Sequence, residues 1–421
     1  MLRFCECSNF LVHPGRIPTP RFIARPPRCR TLPANSRSNG APTAKETQIA
    51  AVLPVSPPSE EKQEQLRELY DGNKKIESGD LKVSDGHTLY YEVHGNPEGP
   101  AALFLHGGPG AGCFENHARF FDPSFWKILL LDQRGCGKSE PTAGLEGNTT
   151  QNLVEDIEVL REHLKVESWT LLGGSWGVTL ALAYAIAHPN RVSGVVLRGI
   201  CTMRTEEIDW MYRGGAGSLF PEGWASFLSI LSDSEKEDPL ASYYKRLTSP
   251  DLDTVEKAAN RWRRWEMTVM FSGKTSEKYI VKAGEIFNAA WEPIASIMKK
   301  KGGEKKPDKK NDDVDGGKAK PTRSISHAQP LLECHYSING AFLDEPLIAG
   351  VDRIRDIPCI GVQGRLDFVC PLRTAFDLSN AWPEMELHVI PMAGHSMYDA
   401  GVKHALIEAT DRMKEHAVHA S

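Results

Sequence analysis

The sequence predicts an α/β protein built on a mostly parallel sheet with helices on both faces. Apolar runs of strand length alternate with segments of helical periodicity between residues 75 and 201, and again between 350 and 415. The apolar runs are nearly continuous, as in strands that are buried on both faces. Several of them end in glycine-containing segments, which is where open parallel sheets place their binding and catalytic groups.

The first part of the predicted sheet alternates regularly with helices. The strands are predicted at residues 87–94, 101–105, 126–131, 169–172 and 195–200. Between them, apolar residues share one face of a first helix at Leu153, Ile157, Leu160 and Leu164. Asn148 or Thr149 is available as its N-cap. A second helix is predicted at 178–187, and the region 75–201 is therefore interpreted as the first part of the core.

The segment 202–349 interrupts this alternation with a helical pattern that is rich in tryptophan. Within it, residues 299–320 carry dense mixed charge without apolar periodicity, which is typical of a disordered loop. Strands are predicted again at 358–364 and 386–394, inside a second core region at 350–415. We therefore expect 202–349 to be a helical cap inserted between two strands of one sheet.

The composition excludes several classes of function. The 50 Lys and Arg residues nearly balance 55 Asp and Glu residues, so a basic nucleic-acid-binding protein is disfavoured. No apolar run approaches the roughly 18–20 residues of a membrane helix, and no membrane association is expected. The 9 cysteines include no C-x-x-C pair, and their wide spacing is typical of reduced thiols in an intracellular compartment. Neither a metal nor a cofactor is expected.

The N-terminal region, residues 1–60, differs from the rest of the chain. It is rich in arginine, proline and serine, and Glu6 is the only acidic residue before Glu46. This composition is typical of an organelle transit peptide, whereas prolines interrupt any apolar stretch of secretory type. We predict a disordered transit peptide for the chloroplast. A mitochondrial destination, or a cytoplasmic protein with a tail that targets nothing, is the alternative.

The segment Gly173–Gly177 reads GGSWG and lies between a predicted strand and a predicted helix. This is the context that a G-x-S-x-G nucleophile elbow requires, because small residues permit the tight turn that exposes the serine. Ser175 is the predicted nucleophile. The glycines of His106–Gly110 (HGGPG) end an earlier strand and would turn backbone N–H groups toward an oxyanion, together with the N–H of Trp176. A tight turn without a catalytic role is the alternative for this loop.

A serine nucleophile needs a base and an orienting carboxylate, in the chain order serine, acid, histidine for hydrolases of this kind. Asp367 and His395 each follow a predicted strand late in the chain. His388 lies inside the last strand and His404 in the helix after it, so neither is placed to act as the base. We therefore predict Ser175, Asp367 and His395 as a catalytic triad.

Five motifs together identify a resemblance to a known family. The segments HGGPG, DQRGCGKS, GGSWG, GRLD and GHS closely resemble those of proline iminopeptidases, which are serine aminopeptidases of the α/β-hydrolase fold. The resemblance extends from about Gly79 to Ala409 and implies an exopeptidase that releases N-terminal proline from short peptides. It also implies Gly108 as the second oxyanion donor.

By the same resemblance, Glu266 and Glu333 in the cap match two glutamates that hold the free N-terminal amine. Two carboxylates under a lid would bind a protonated amine strongly and reject uncharged internal segments. The chain departs from the family at Cys201, where an aromatic residue is expected against the proline ring. We place Cys201 in the substrate pocket, where losing the aromatic contact would weaken selectivity for proline and where a thiol predicts sensitivity to thiol reagents.

Two alternative functions follow from the same motifs. The first is an esterase or amidase with another acyl specificity, which would hydrolyse p-nitrophenyl esters as fast as prolyl amides or faster. The second is a hydrolase-fold receptor that binds a small ligand with little or no turnover, for which ligand would raise thermal stability without product. An epoxide hydrolase or dehalogenase is disfavoured because those scaffolds carry aspartate where this chain has Ser175.

Overall fold

The computed structural model describes residues 53–54, 66–271 and 324–417. The predicted charged loop 299–320 lies outside the described residues, as does nearly all of the predicted transit segment 1–60. Among the residues that are described, no helix has the length and apolar character needed to cross a membrane.

The described chain forms a single mixed sheet, which confirms the predicted α/β class. Its strands are β1 (Leu53–Pro54), β2 (Lys75–Lys82), β3 (Thr88–Gly95), β4 (Ala101–Leu105), β5 (Lys127–Asp132), β6 (Trp169–Gly174), β7 (Val192–Arg198), β8 (Cys359–Gly364) and β9 (Glu386–Ile390). The order across the sheet is β1-β9-β8-β7-β6-β4-β5-β3-β2. Strand β3 pairs antiparallel with β2 and β5, and all other pairs are parallel.

Helices connect the parallel strands and form the cap. They are α1 (Glu115–Ala118), α2 (Thr150–His163), α3 (Trp176–Ala187), α4 (Thr205–Tyr212), α5 (Pro221–Leu228), α6 (Pro239–Leu247), α7 (Leu252–Met270), α8 (Ile325–Ile338), α9 (Leu372–Ala381), α10 (Ala400–Arg412) and α11 (Lys414–Ala417). Short 3₁₀ turns occur at Ser84–Gly86, Pro189–Arg191, Ala216–Ser218, Glu235–Glu237, Gly340–Phe342 and Leu347–Arg353. Helix α2 begins as expected after Thr149, whose side chain accepts a hydrogen bond from the Asn152 N–H.

The sheet buries side chains on both faces, as its near-continuous apolar strands predict. In β5, Leu129 and Leu131 join the core on one face, while Ile128 and Leu130 join the core on the other. All four side chains are at most 1% exposed. The carboxyl ends of the central parallel strands therefore sit on a rigid layer that is packed from both sides.

The cap helices α4 to α8 come from the chain between β7 and β8 and have an aromatic core of their own. Phe227 and Tyr243 stack with their ring centroids 4.2 Å apart, and Trp262 and Trp265 are fully buried beside them. This packing explains the tryptophan content of the segment 202–349, and it fixes helices α7 and α8.

Three strands differ from the sequence-based expectations. Strand β1 (Leu53–Pro54) lies inside the segment 1–60, which was predicted to be disordered, and it pairs in parallel with β9. The last strand ends at Ile390 rather than Gly394, because the chain turns there and Met392 adopts a positive φ of 56°. Strand β2 was not predicted, because its sequence KIESGDLK is polar and almost wholly exposed at the sheet edge. None of these differences affects the residues predicted for catalysis.

Candidate active site

Ser175 occupies a sharp turn between strand β6 and helix α3. Its backbone has φ 57° and ψ −123°, a conformation that is strained for any residue other than glycine. Glycines on both sides make the turn possible. A Cβ at Gly173 would lie 2.3 Å from the Gly177 carbonyl oxygen, and a Cβ at Gly177 would lie 2.0 Å from the Leu105 carbonyl oxygen. The predicted strand–turn–helix setting of Ser175 is therefore present in the structure.

Two backbone amides are available beside Ser175. Trp176 is the first residue of α3, and the first N–H groups of a helix have no partner within the helix. The loop 106–110 approaches from the other side, since a Cβ on Gly107 would lie 3.2 Å from the Ser175 Cβ. Gly108 has a φ of 104°, which favours glycine. The structure thus brings Gly108 and Trp176 to the same serine, as an oxyanion hole requires.

The buried side chain of Gln133, which the sequence analysis did not single out, joins the loop 106–110 to Trp176. The Gln133 amide nitrogen donates to the His106 carbonyl at 3.0 Å, and its Oε1 accepts from the Trp176 indole N–H at 2.8 Å. The Gln133 backbone N–H also donates to His106 Nε2 at 3.1 Å. Burial lowers the pKa of His106 to about 4, so its ring remains a neutral acceptor. Gln133 therefore acts as a positioning residue for both loops.

Asp367 and His395 are brought together at the carboxyl ends of β8 and β9. His395 Nδ1 donates to Asp367 Oδ2 at 2.8 Å, and both residues are at most 5% exposed. The other carboxylate oxygen accepts the backbone N–H groups of Val369 at 3.0 Å and Cys370 at 2.8 Å. These bonds fix the carboxylate, and the Nδ1–H bond to Asp367 leaves Nε2 as the acceptor nitrogen of the His395 ring.

The outer edge of the histidine faces the catalytic cavity. His395 Nε2 lies 3.3 Å from a guanidinium nitrogen of Arg198, which also donates to the His395 carbonyl at 3.1 Å. Ser175 and His395 line the same cavity. Catalytic hydrogen bonds are often long in ligand-free sites and shorten when substrate is bound. Arg198 thus contacts both the ring and the backbone of His395 at the cavity edge, a contact that the sequence analysis missed.

Gly199 allows the triad to approach the end of β7. Its φ is 60°, and a Cβ there would lie 3.0 Å from His395 Cε1 and 3.1 Å from Nδ1. Gly199→Ala is expected to lower kcat by about 10²-fold, because a displacement of roughly 1 Å at a catalytic base has this effect. The control is Gly340→Ala, also at positive φ but with open space around it. Equal kcat values for both variants would contradict this role of Gly199.

Glu266 and Glu333 meet under the cap, where they are hydrogen-bonded to each other. Glu333 accepts from the Trp262 indole N–H and from the Gln329 amide, each at 2.7 Å. Glu266 accepts from the Tyr212 hydroxyl at 2.7 Å. Burial raises the pKa of both glutamates, and the charge of Glu266 raises that of Glu333 further. Two bare carboxylates are therefore disfavoured here, and either a shared proton or a cationic group would relieve their repulsion.

The raised pKa of Glu333 has a consequence for stability. Because the pKa in the folded state lies above the value in the unfolded chain, the fold loses stability as the pH rises through the folded-state value. Glu333→Gln removes this titration. We expect the difference in Tm between Glu333→Gln and the wild type to move in favour of the variant as the pH rises above about 4.3, the pKa of an unfolded glutamate.

Differential scanning calorimetry over this pH range would measure the effect. Glu345→Gln serves as the matched control, since Glu345 is an exposed glutamate of the cap and its charge stays hydrated. A Tm difference for Glu333→Gln that stays constant with pH would show that no proton is held there.

All predicted site residues line one cavity of about 250 Å³ between the sheet and the cap, apart from Asp367, which reaches it through His395. Cys201 lines this cavity, and so does Cys370, whose thiol lies 3.9 Å from Ser175 Oγ. In the described part of the chain, no group of three or more His, Cys, Asp or Glu residues is arranged to hold a metal ion.

Comparison with known proteins places the chain in a family. A sequence model of the α/β-hydrolase fold matches residues 100–402. The proline iminopeptidase of Arabidopsis thaliana is 43% identical over 351 residues, which cover 83% of this chain and 82% of the relative. That of Xanthomonas citri is 39% identical over 348 residues, covering 82% of this chain and 99% of the relative. The chain belongs to the proline iminopeptidase family.

A solved structure agrees with the fold described above for this member of the proline iminopeptidase family. The α/β hydrolase MGS-M2 from a deep-sea metagenome has a TM-score of 0.51 at 15% identity, and the match covers 79% of this chain and 97% of that structure. At this identity the likeness shows the fold alone. The expected α/β-hydrolase fold and the resemblance to proline iminopeptidases are both confirmed.

Proposed function

We propose that this protein is a serine aminopeptidase that releases N-terminal proline from short peptides. The observation that carries the proposal is the buried pair Glu266 and Glu333 in the same cavity as Ser175. Two carboxylates that share a proton form a site for a cation, and an elbow serine beside two backbone amides forms a site for acyl transfer. The names of the curated relatives support this combination.

The geometry supports an acyl-enzyme mechanism. The substrate amine lies between the two glutamates, and its first carbonyl lies over Ser175. His395, oriented by Asp367, takes the serine proton as Oγ attacks that carbonyl. The N–H groups of Trp176 and Gly108 stabilise the resulting oxyanion. His395 then protonates the leaving amine, and water hydrolyses the acyl-enzyme by the same steps.

The amine subsite restricts cleavage to the end of a chain. An internal peptide nitrogen carries no positive charge, so it would leave the two glutamates buried without a counterion. A prolinium cation has two N–H bonds, one for each carboxylate, and it can replace the proton that the pair holds. Tyr212, Trp262 and Gln329 orient the carboxylates for this exchange.

A panel of naphthylamides tests the function directly. Prolyl-β-naphthylamide should release naphthylamine rapidly, whereas N-blocked prolyl-β-naphthylamide should not react. The alanyl amide measures how strictly proline is preferred when a cysteine lies in the pocket. Comparable rates on the blocked substrate or on simple esters would favour an esterase or amidase. Thermal stabilisation by prolyl ligands without any product would favour a low-turnover receptor.

We propose further that the arginine-rich segment 1–60 directs the protein to the chloroplast. Its support is the acid-poor composition of the sequence. Fusion of residues 1–60 to a fluorescent protein, compared with a fusion in which the arginines are replaced by glutamate, would test it in plant cells. A mitochondrial or diffuse signal from the first fusion would contradict the proposal.

A further inference from the structure

Two thiols face each other in the wall of the catalytic cavity, and the proposed reaction uses neither. Cys201 follows strand β7 and Cys370 follows strand β8, and these two strands pair in parallel. Both thiols line the same cavity, Cys201 raises the pKa of the Cys370 thiol through a side-chain interaction, and Cys370 Sγ lies 3.9 Å from Ser175 Oγ. Both cysteines are free in the structure. They therefore form a dithiol directly beside the nucleophile.

Buried side-chain hydrogen bonds fix the backbone next to both of these thiols. Gln363 is fully buried, and its Oε1 accepts from the Ile200 N–H at 2.8 Å while its amide nitrogen donates to the Cys370 carbonyl at 2.8 Å. The Cys201 carbonyl accepts from the Thr179 hydroxyl at 2.9 Å. One amide side chain thus clamps the residue before Cys201 to Cys370 itself. The backbone at these two positions cannot move apart without breaking these buried hydrogen bonds.

We propose that Cys201 and Cys370 form a reversible disulfide on exposure to a disulfide oxidant such as oxidised glutathione, and that this bond closes the acyl pocket. Gln363 holds the residue before Cys201 and Cys370 at one amide group, so side-chain rotations can bring the two sulfurs to the S–S distance of about 2.05 Å. Cys201 is half-buried whereas Cys370 is buried, so Cys201 is the thiol that meets the oxidant first.

The thiol–disulfide exchange with oxidised glutathione takes place in two steps. The Cys201 thiolate attacks one sulfur of oxidised glutathione, which forms a mixed disulfide and releases one glutathione. Cys370 then loses its proton to solvent and attacks the Cys201 sulfur, which releases the second glutathione. The two protein thiols are oxidised by two electrons, and oxidised glutathione is reduced to two thiols. The hydrogen bond to Cys201 and burial raise the pKa of Cys370, so the second step is the slower one.

The bond would change the catalytic site in two ways. The sulfur of Cys370 would move away from Ser175 and toward Cys201, into the space for the acyl group. The Cys370 N–H donates to Asp367 Oδ1 at 2.8 Å, so a shift of this residue would also disturb the carboxylate that orients His395. The loss of turnover rests on the proposed peptidase function, whereas formation of the disulfide does not.

The test compares the full chain incubated with reduced or oxidised glutathione. Peptide mapping of the unreduced protein should find a Cys201–Cys370 cross-link, with a mass lower by two hydrogens, only after oxidation. Turnover of prolyl-β-naphthylamide and labelling of Ser175 by a fluorophosphonate should both fall by about 10-fold or more. Dithiothreitol should restore both.

Each variant is compared with its own reduced form. Cys201→Ser and Cys370→Ser should lose the cross-link and the response to oxidation, whereas Cys113→Ser should keep both, because the Cys113 thiol lies outside this cavity. The proposal is overturned if, after incubation with oxidised glutathione, Cys201 is found as a free thiol or only as a mixed disulfide with glutathione. It is also overturned if the cross-linked protein labels Ser175 at the full rate. The protein could form the cross-link while its reduced form is labelled by the fluorophosphonate but never cleaves prolyl amides. That result would refute the peptidase function alone.

Discussion

Ser175→Ala will reduce kcat on prolyl-β-naphthylamide by about 10⁴- to 10⁶-fold, the range seen when an acyl-transfer nucleophile is removed. The reaction then has no acceptor for the acyl group except water, and His395 has no hydroxyl to activate. Some rate above the uncatalysed reaction will remain, because the amides of Trp176 and Gly108 and the two glutamates still hold the substrate. Steady-state kinetics with highly purified protein would measure the loss.

The fold of this variant should be unchanged, since alanine fits wherever the serine side chain was. The strained backbone at position 175 remains, so Tm and circular dichroism should match those of the wild type. A fluorophosphonate should label the wild type and not the variant. Substantial turnover by a folded, unlabelled Ser175→Ala protein would require a different nucleophile.

Glu333→Gln and Glu266→Gln will each reduce kcat/KM for prolyl amides by about 10²-fold or more, because a buried charge pair with the substrate is lost. Glutamine keeps the volume of the side chain and can still accept from Trp262 or Tyr212, so the cap should stay folded. It cannot match the positive charge of the amine. Hydrolysis of p-nitrophenyl acetate, which has no amine, should change by only a few-fold.

The contrast between the two substrates is the essential control for this prediction. Activity on the ester reports Ser175, His395 and the oxyanion donors, whereas activity on the prolyl amide also reports the amine subsite. Equal losses on both substrates would mean that the glutamates support the fold of the cavity rather than recognise the amine. The exposed Glu345→Gln variant should be normal on both.

The sequence predicted the sheet and the catalytic motifs because each depends on neighbours along the chain. The elbow at Ser175 is a strand, a turn and a helix in direct succession, and Asp367 and His395 each follow an apolar strand. Glycines mark the same places because bulkier residues would collide there. Such local patterns can be read without knowing which strands pair.

The residues that hold the site together were not predicted, because their roles depend on distant contacts. Gln133 joins the loop after β4 to helix α3, and Gln363 joins the end of β7 to the loop after β8. A single buried glutamine in or just after an apolar strand was the available signal, but it does not say what the amide binds. Likewise, the glutamate pair was found only through a family resemblance, since its members lie 67 positions apart in the chain.

The catalytic triad lies at the sheet and the glutamate pair lies in the cap, and this separation has an evolutionary consequence. The groups proposed to make or break a bond follow the ends of the sheet strands, whereas the glutamates proposed to recognise the amine are on cap helices α7 and α8. Mutations in the cap can therefore change which molecules are accepted while the reaction stays the same. A lineage could acquire new substrates by altering this one insertion, without ever passing through a form that has lost its chemistry.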